Sequence, residues 1–212
     1  MADEPKLSIM VSSTVYSIRP LLKQVFGILT SYGHDVMMSD RLTVPVDPRK
    51  HNFESCLDAI EQCDLFFGII TPAYGTGISD KDNRSITHLE LLKAIELDKP
   101  RFMLCNQAVT SSRVLLNSLA FGGKPLKGAA GRADLTLRSK AVLGDLRTID
   151  MLEAALREDI ADPAERTNHW VAEYESEEDV RNYVATMFDP EGKNRAFLDE
   201  MIGGKRPKGG AK

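Results

Sequence analysis

Long apolar runs are missing from this sequence, and so are the motifs that would assign a function at once. No stretch approaches the ~18 consecutive apolar residues of a membrane span, and the opening MADEPKLSIM lacks the charged-then-apolar design of a secretory leader. A cytoplasmic chain without a membrane partner is the expectation. Cysteine is scarce, with three residues at Cys56, Cys63 and Cys105 and no Cys-x-x-Cys pair, so they read as reduced core thiols and not as a disulfide framework or a zinc site. The four histidines show no paired ligand spacing, so no metal is expected and His88 reads as a helix-surface residue. Neither GxGxxG nor GxxxxGK[ST] occurs, which removes the dinucleotide fingerprint and the P-loop as explanations of the glycines. Positive charge is not in excess, since 27 Lys and Arg stand against 31 Asp and Glu for a net charge of -4. Direct nucleic-acid binding is therefore not expected.

What is present is ordinary for one large globular domain: 42% hydrophobic and 27% charged residues in 212, with a mean hydropathy of -0.23. Short β-branched or aromatic runs alternate with segments of helical periodicity. Leu7 to Val11 reads as a strand ending in the small-hydroxyl turn Ser12-Ser13-Thr14, and Ile18, Leu21, Leu22, Val25, Phe26 and Leu29 place one apolar stripe on a helix from about Tyr16 to Ser31. Val36 to Met38 is a second strand, followed by a polar loop from Ser39 to Asn52 with Pro45 and Pro48. A helix with Phe53, Cys56, Leu57 and Ile60 on one face then leads to the strand Leu65 to Ile70, apolar throughout as a strand buried on both faces should be. A helix from Thr87 to Asp98, a strand from Arg101 to Cys105 and a last strand within His169 to Tyr174 complete a five-stranded, mainly parallel sheet with helices on both faces. Val109 to Phe121 has helical spacing, and Gly122 to Arg138, rich in glycine and basic residues, reads as a mobile loop. That loop is solvated or meets phosphate. The domain is expected over 1–188, with 105–145 as an insertion and 189–212 as an extension whose Gly203 to Lys212 end is disordered.

The candidate site follows from where that fold places polar residues. Ligands of open α/β sheets bind at the carboxyl ends of the strands, and the central strand ends there in Thr71-Pro72-Ala73-Tyr74-Gly75-Thr76-Gly77. Proline stops further ladder pairing, and glycine lets the backbone turn sharply or approach a ligand. The helix opening at Ser85 carries Glu90 to the same edge, either as a solvated carboxylate favoured by the helix dipole or as a functional group. Ser12, Ser13 and Thr14 either cap the first helix or face a ligand. Asp40 and Arg41 reach that edge too, as solvated loop residues or as ligand contacts.

Three segments, IMVSST, CLDAIEQCDLFFGIITPAYGT and SITHLELLKAIELDKP, in this order and spacing, resemble a family of domains of unknown function. Its members occur alone or at the front of large signalling NTPases and WD-repeat proteins, and are related in fold to TIR domains and nucleoside 2-deoxyribosyltransferases. The resemblance covers about Leu7 to Cys105 and implies a flavodoxin-like, TIR-like sheet. In the catalytic relatives a glutamate in the helix after the central strand attacks or stabilises the anomeric carbon of a ribosyl group, and Glu90 is the matching position. Ser85 resembles the serine that precedes that glutamate in TIR enzymes, although the tryptophan-cysteine pair common between them is replaced here by Thr87 and His88. By the same resemblance Tyr74 stacks on a base or nicotinamide, Gly75 lets a substrate approach, and Ser12, Ser13 and Thr14 hold ribose or phosphate oxygens. The implied function is an NAD-hydrolase-like or nucleotide N-glycosidase effector of a bacterial defence or signalling system. It takes NAD as substrate and not as cofactor, self-associates, and answers to a sensor or signalling partner. The alternative is a noncatalytic nucleotide-sensing or self-assembly module of the same fold.

Overall fold

The computed structural model describes residues 6–75 and 83–205, so Thr76, Gly77 and the stretch 206–212 lie outside the described residues. The elements run β1 (Ser8–Ser13), α1 (Val15–Ser31), β2 (Asp35–Met37), α2 (Asn52–Gln62), β3 (Leu65–Ile70), α3 (Ile86–Glu96), β4 (Arg101–Asn106), α4 (Gln107–Asn117), β5 (Ala120–Phe121), β6 (Lys124–Pro125), α5 (Gly128–Arg132), α6 (Arg147–Ala155), β7 (Val171–Tyr174), α7 (Glu177–Met187) and α8 (Arg195–Lys205). Five strands form one sheet in the order β2-β1-β3-β4-β7, with every neighbouring pair parallel. This is the flavodoxin-like order, whose switch point falls between β1 and β3 because the chain leaves β1 for one edge and returns past it to the other.

The side-chain pattern explains why the layers close. One face of β3 and β4 sends Phe66, Ile70, Met103 and Cys105 into a core with Ala59, Ile60, Leu91, Ile149 and Leu152 of α2, α3 and α6. The other face sends Phe67, Ile69 and Leu104 into a core with Leu21, Leu22, Val25, Val180 and Val184 of α1 and α7. Burial on both sides is what the uninterrupted apolar run of β3 requires. Its single gap, Gly68, is opposite Met103, whose Cε would lie 2.5 Å from a Cβ at that position, so the missing side chain makes room for the methionine.

Two expectations are corrected. Gly122 to Arg138 is not without regular structure, because β5 and β6 pair as a hairpin around Gly122 and Gly123 and α5 follows at Gly128–Arg132. Arg132 at the end of α5 is buried and bonds Asp150 at 2.6 Å and Glu153 at 2.6 and 3.0 Å, which pins the basic stretch to α6. Helix α8 continues to Lys205 through Gly203 and Gly204, which were expected to be disordered.

Candidate active site

Ser12 and Ser13 are the last residues of β1, and Thr14 stands at the cap position of α1. None of the three hydroxyls caps that helix. Ser12 Oγ donates to Glu90 Oε2 at 2.5 Å, Ser13 Oγ donates to the Ile69 carbonyl at 3.0 Å, and Thr14 Oγ1 donates to the Ala73 carbonyl at 2.9 Å. Together they tie the end of β1 to the end of β3 and to α3. Gly75 holds φ at +91, which a side chain would strain, and the space where its Cβ would stand is 3.6 Å from Thr14 Oγ1. The left-handed backbone of the turn therefore accounts for this glycine, since the contact with Thr14 would be an ordinary one.

Helix α3 is started by Ser85, whose Oγ accepts from the His88 backbone N–H at 3.3 Å. Five residues after that cap, Glu90 points inward, with 4% of its surface exposed. It is not a solvated helix-start carboxylate. Burial pushes its pKa up to about 7, and hydrogen bonds from the Ser12 hydroxyl and the Cys56 thiol pull it back down. The Cys56 thiol is itself pushed up to about 12 by burial, with the charge of Glu90 adding to the effect. It therefore stays a donor at neutral pH and is no nucleophile.

Around Glu90 lies a cavity of about 220 Å³, walled by Val11–Val15 from β1 and its turn, by Asn52, Phe53 and Cys56 from α2, and by Gly75, Ser85 and Thr87. It opens at the carboxyl edge beside the switch point, and Glu90 is its one acidic wall residue among the described residues. Of the residues singled out from the sequence, Ser12, Ser13, Thr14, Gly75, Ser85 and Glu90 meet here, whereas Tyr74 does not line it. Tyr74 is buried in the core instead. Its hydroxyl is 2.7 Å from His88 Nδ1 and accepts from the Ser85 N–H at 3.3 Å, and the Arg147 guanidinium lies 4.2 Å over its ring. His88 is accordingly a buried partner of Tyr74 and not a surface histidine. Asp40 is tied to Arg19 at 3.0 Å and Arg41 at 3.2 Å.

Asn52, Phe53 and Cys56 were not singled out for this site. The available signal was topological: in a parallel sheet every helix starts at the carboxyl edge, so the first turn of α2 belongs to the site as much as that of α3. Among the described residues no group of three or more His, Cys, Asp or Glu is placed to hold a metal ion. None of the described helices is long and apolar enough to cross a membrane.

The fold and its edge cavity define a doubly wound α/β domain with a buried carboxylate, Glu90, beside the switch point. Residues 8–188 match the family described as domain of unknown function DUF4062, and the chain belongs to that family. The match runs past Cys105 to the end of α7, through the segment that holds Arg132. No curated protein matches the chain.

Proposed function

We propose that this domain cleaves or transfers at the N-glycosidic bond of a nucleotide, with NAD as the favoured substrate and Glu90 as the carboxylate that meets the developing ribosyl cation. The observation that carries the reading is Glu90 itself, a carboxyl group buried in a cavity and held by Ser12 at 2.5 Å. As the glycosidic bond breaks, positive charge grows on the sugar carbon and ring oxygen. A fixed carboxylate in a water-poor pocket stabilises that charge or bonds to it far more effectively than one in water. With a pKa of about 7, Glu90 is substantially ionised at neutral pH, and a cationic substrate favours the ionised form further.

Among the described residues Glu90 is the one acidic residue of the cavity wall, and a leaving group that needs no second carboxyl group suits that arrangement. A neutral base departs as an anion unless an acid protonates it, but the pyridinium of NAD departs as neutral nicotinamide and needs no proton. One carboxylate is then enough. The cavity volume of about 220 Å³ suits a ribosyl unit with part of its base, and the rest of a dinucleotide would extend beyond it. The resemblance to TIR domains and nucleoside 2-deoxyribosyltransferases supports the same chemistry, together with a role in bacterial defence or signalling. Incubation with NAD and with nucleosides, followed by chromatography, tests it: free nicotinamide is the expected product, and intact NAD and nucleosides under all conditions would contradict it.

A second reading rests on a different observation. Val114, Leu115, Leu119 and Phe121, on α4 and the hairpin after it, are 65, 60, 46 and 67% exposed, an apolar display that a self-assembling module would use. Assembly and cleavage are compatible, and activity confined to an assembled state is the form in which both readings hold.

A further inference from the structure

We infer that Thr87 holds the 2′-hydroxyl of the substrate's ribose while Glu90 faces the neighbouring anomeric carbon, so that Thr87 selects ribosyl over 2-deoxyribosyl substrates. The inference rests on the cleavage reading and narrows its substrate class. Among the described residues, the buried hydroxyls in the wall of the Glu90 cavity are those of Ser12, Ser13, Thr14, Ser85 and Thr87. All but the last are engaged. Ser12 donates to Glu90, Ser13 to the Ile69 carbonyl and Thr14 to the Ala73 carbonyl, and Ser85 Oγ accepts from the His88 N–H. The Thr87 hydroxyl has no hydrogen-bond partner among the described residues, although only 7% of the residue's surface is exposed. It is not sealed in the core, as the unpaired hydroxyls of Ser55 and Tyr183 are, so the cavity is the space left open to it.

The placement on α3 decides which ligand group meets this hydroxyl. Thr87 and Glu90 are three residues apart and so neighbours on one face of the helix, with about 5–6 Å between their Cβ atoms. A sugar whose anomeric carbon lies against Glu90 has its next ring carbon, and the hydroxyl on that carbon, within reach of a group at this distance. The ring oxygen lies on the other side of the anomeric carbon and gains positive charge as the bond breaks, so a donor placed there would oppose the reaction. A 2′-hydroxyl both donates and accepts, which suits a threonine hydroxyl whose donor and acceptor are unspent. Contacts to that hydroxyl strengthen as charge develops on the adjacent carbon, the same source of selectivity that glycoside hydrolases use. A buried hydroxyl without a partner destabilises the folded chain. A bound ribose supplies the partner, and a 2-deoxyribosyl unit does not.

The test uses the whole chain, with Thr87→Val as the isosteric variant that lacks the hydroxyl and Thr87→Ser as the variant that keeps it. Valine removes an unpaired group and so should melt no lower than the parent. Should Thr87→Val not fold, Thr87→Ala takes its place. Nicotinamide riboside and its 2′-deoxy analogue serve as substrates, each compared between proteins so that their different intrinsic lability cancels. kcat/KM for the riboside is expected to fall roughly ten-fold in Thr87→Val and to stay within about two-fold of the parent in Thr87→Ser, with the deoxy analogue cleaved alike by all three. Calorimetry in the slow Glu90→Gln background reads binding on its own, and there Thr87→Val should weaken the riboside roughly five-fold, the size of effect one hydrogen bond supports. If Thr87→Val weakens both sugars equally, as a residue that held the attacking water would, or weakens neither, the inference is wrong even where NAD is cleaved. A riboside that does not bind at all overturns it too. If affinity for the riboside alone depends on Thr87 while nothing is cleaved, the contact stands and the cleavage reading falls.

Discussion

Ser12 and Glu90, 78 residues apart in the chain, are joined by a hydrogen bond of 2.5 Å from the Ser12 hydroxyl to the Glu90 carboxylate. The bond links the end of β1 to α3 and fixes the one acidic group that the described residues place in the edge cavity. Its energetics are not favourable to folding at neutral pH. Burial raises the Glu90 pKa from 4.5 to about 7, so between those values the folded chain holds a proton that the unfolded chain has lost. Stability from this group is therefore fully present below pH 4.5, falls as pH rises through the window, and is lost above about 7. The loss is on the order of 3 kcal/mol. Glu90→Gln, which cannot ionise, should melt several degrees above the parent at pH 8, with the advantage shrinking steadily towards pH 4.5. Melting curves of both proteins across that range check it, and a pH-independent difference would show that Glu90 is not buried as described.

Tyr74 makes a structural prediction in place of a ligand-binding one. Tyr74→Phe leaves His88 Nδ1 and the Ser85 N–H without the hydroxyl they share. Each lies in a buried setting, so the loss should be about 1–3 kcal/mol. Denaturant unfolding at neutral pH is the measurement. No change in midpoint would mean that water replaces the hydroxyl.

Arg132 should be the more sensitive of the two. Replacing it with Met fills similar volume but leaves Asp150 and Glu153 facing each other without their common cation. Breaking a buried ion pair from one side costs roughly 3–5 kcal/mol, and the same unfolding experiment should show that loss. A loss under 1 kcal/mol would indicate that solvent reaches both carboxylates.

Cys56 gives a chemical prediction. With its thiol pushed up to about 12, it should react with iodoacetamide far more slowly at pH 8 than an unhindered cysteine once the chain is folded. Cys56→Ala removes a donor that pulls the Glu90 pKa down, so the rate profile of any Glu90-dependent reaction should move to higher pH. Rapid labelling of Cys56 in the folded chain, or a profile that stays in place, would contradict this.

The sheet was legible because its signals are local. Leu65 to Ile70 is a continuous apolar run bounded by Asp64 and Thr71-Pro72, and β3 occupies that span. The edge location of Glu90 followed from the order of elements alone. What was not legible depends on partners distant in sequence. His88 looks like a surface histidine until the turn after β3 brings Tyr74 back to it, and Arg132 looks like one charge in a basic loop until α6 supplies two carboxylates. The small hydroxyls after β1 read equally as a cap or as ligand contacts, and the strand instead continues through Ser13 while each side chain finds an acceptor on another element. Phe53 and Cys56 were visible only as the apolar face of α2, since helical periodicity marks burial and cannot distinguish a core from a cavity wall.

The catalytic role proposed for Glu90 is tested most directly by a paired measurement of nicotinamide release from NAD and of thermal stability, for the parent and for Glu90→Gln. Glutamine preserves size and a hydrogen bond to Ser12 but removes the charge that a ribosyl cation requires. The expected result is cleavage by the parent and at least a 100-fold lower kcat, about 2.7 kcal/mol of transition-state stabilisation, in a variant that remains folded. A folded variant that releases nicotinamide as fast as the parent would contradict the account.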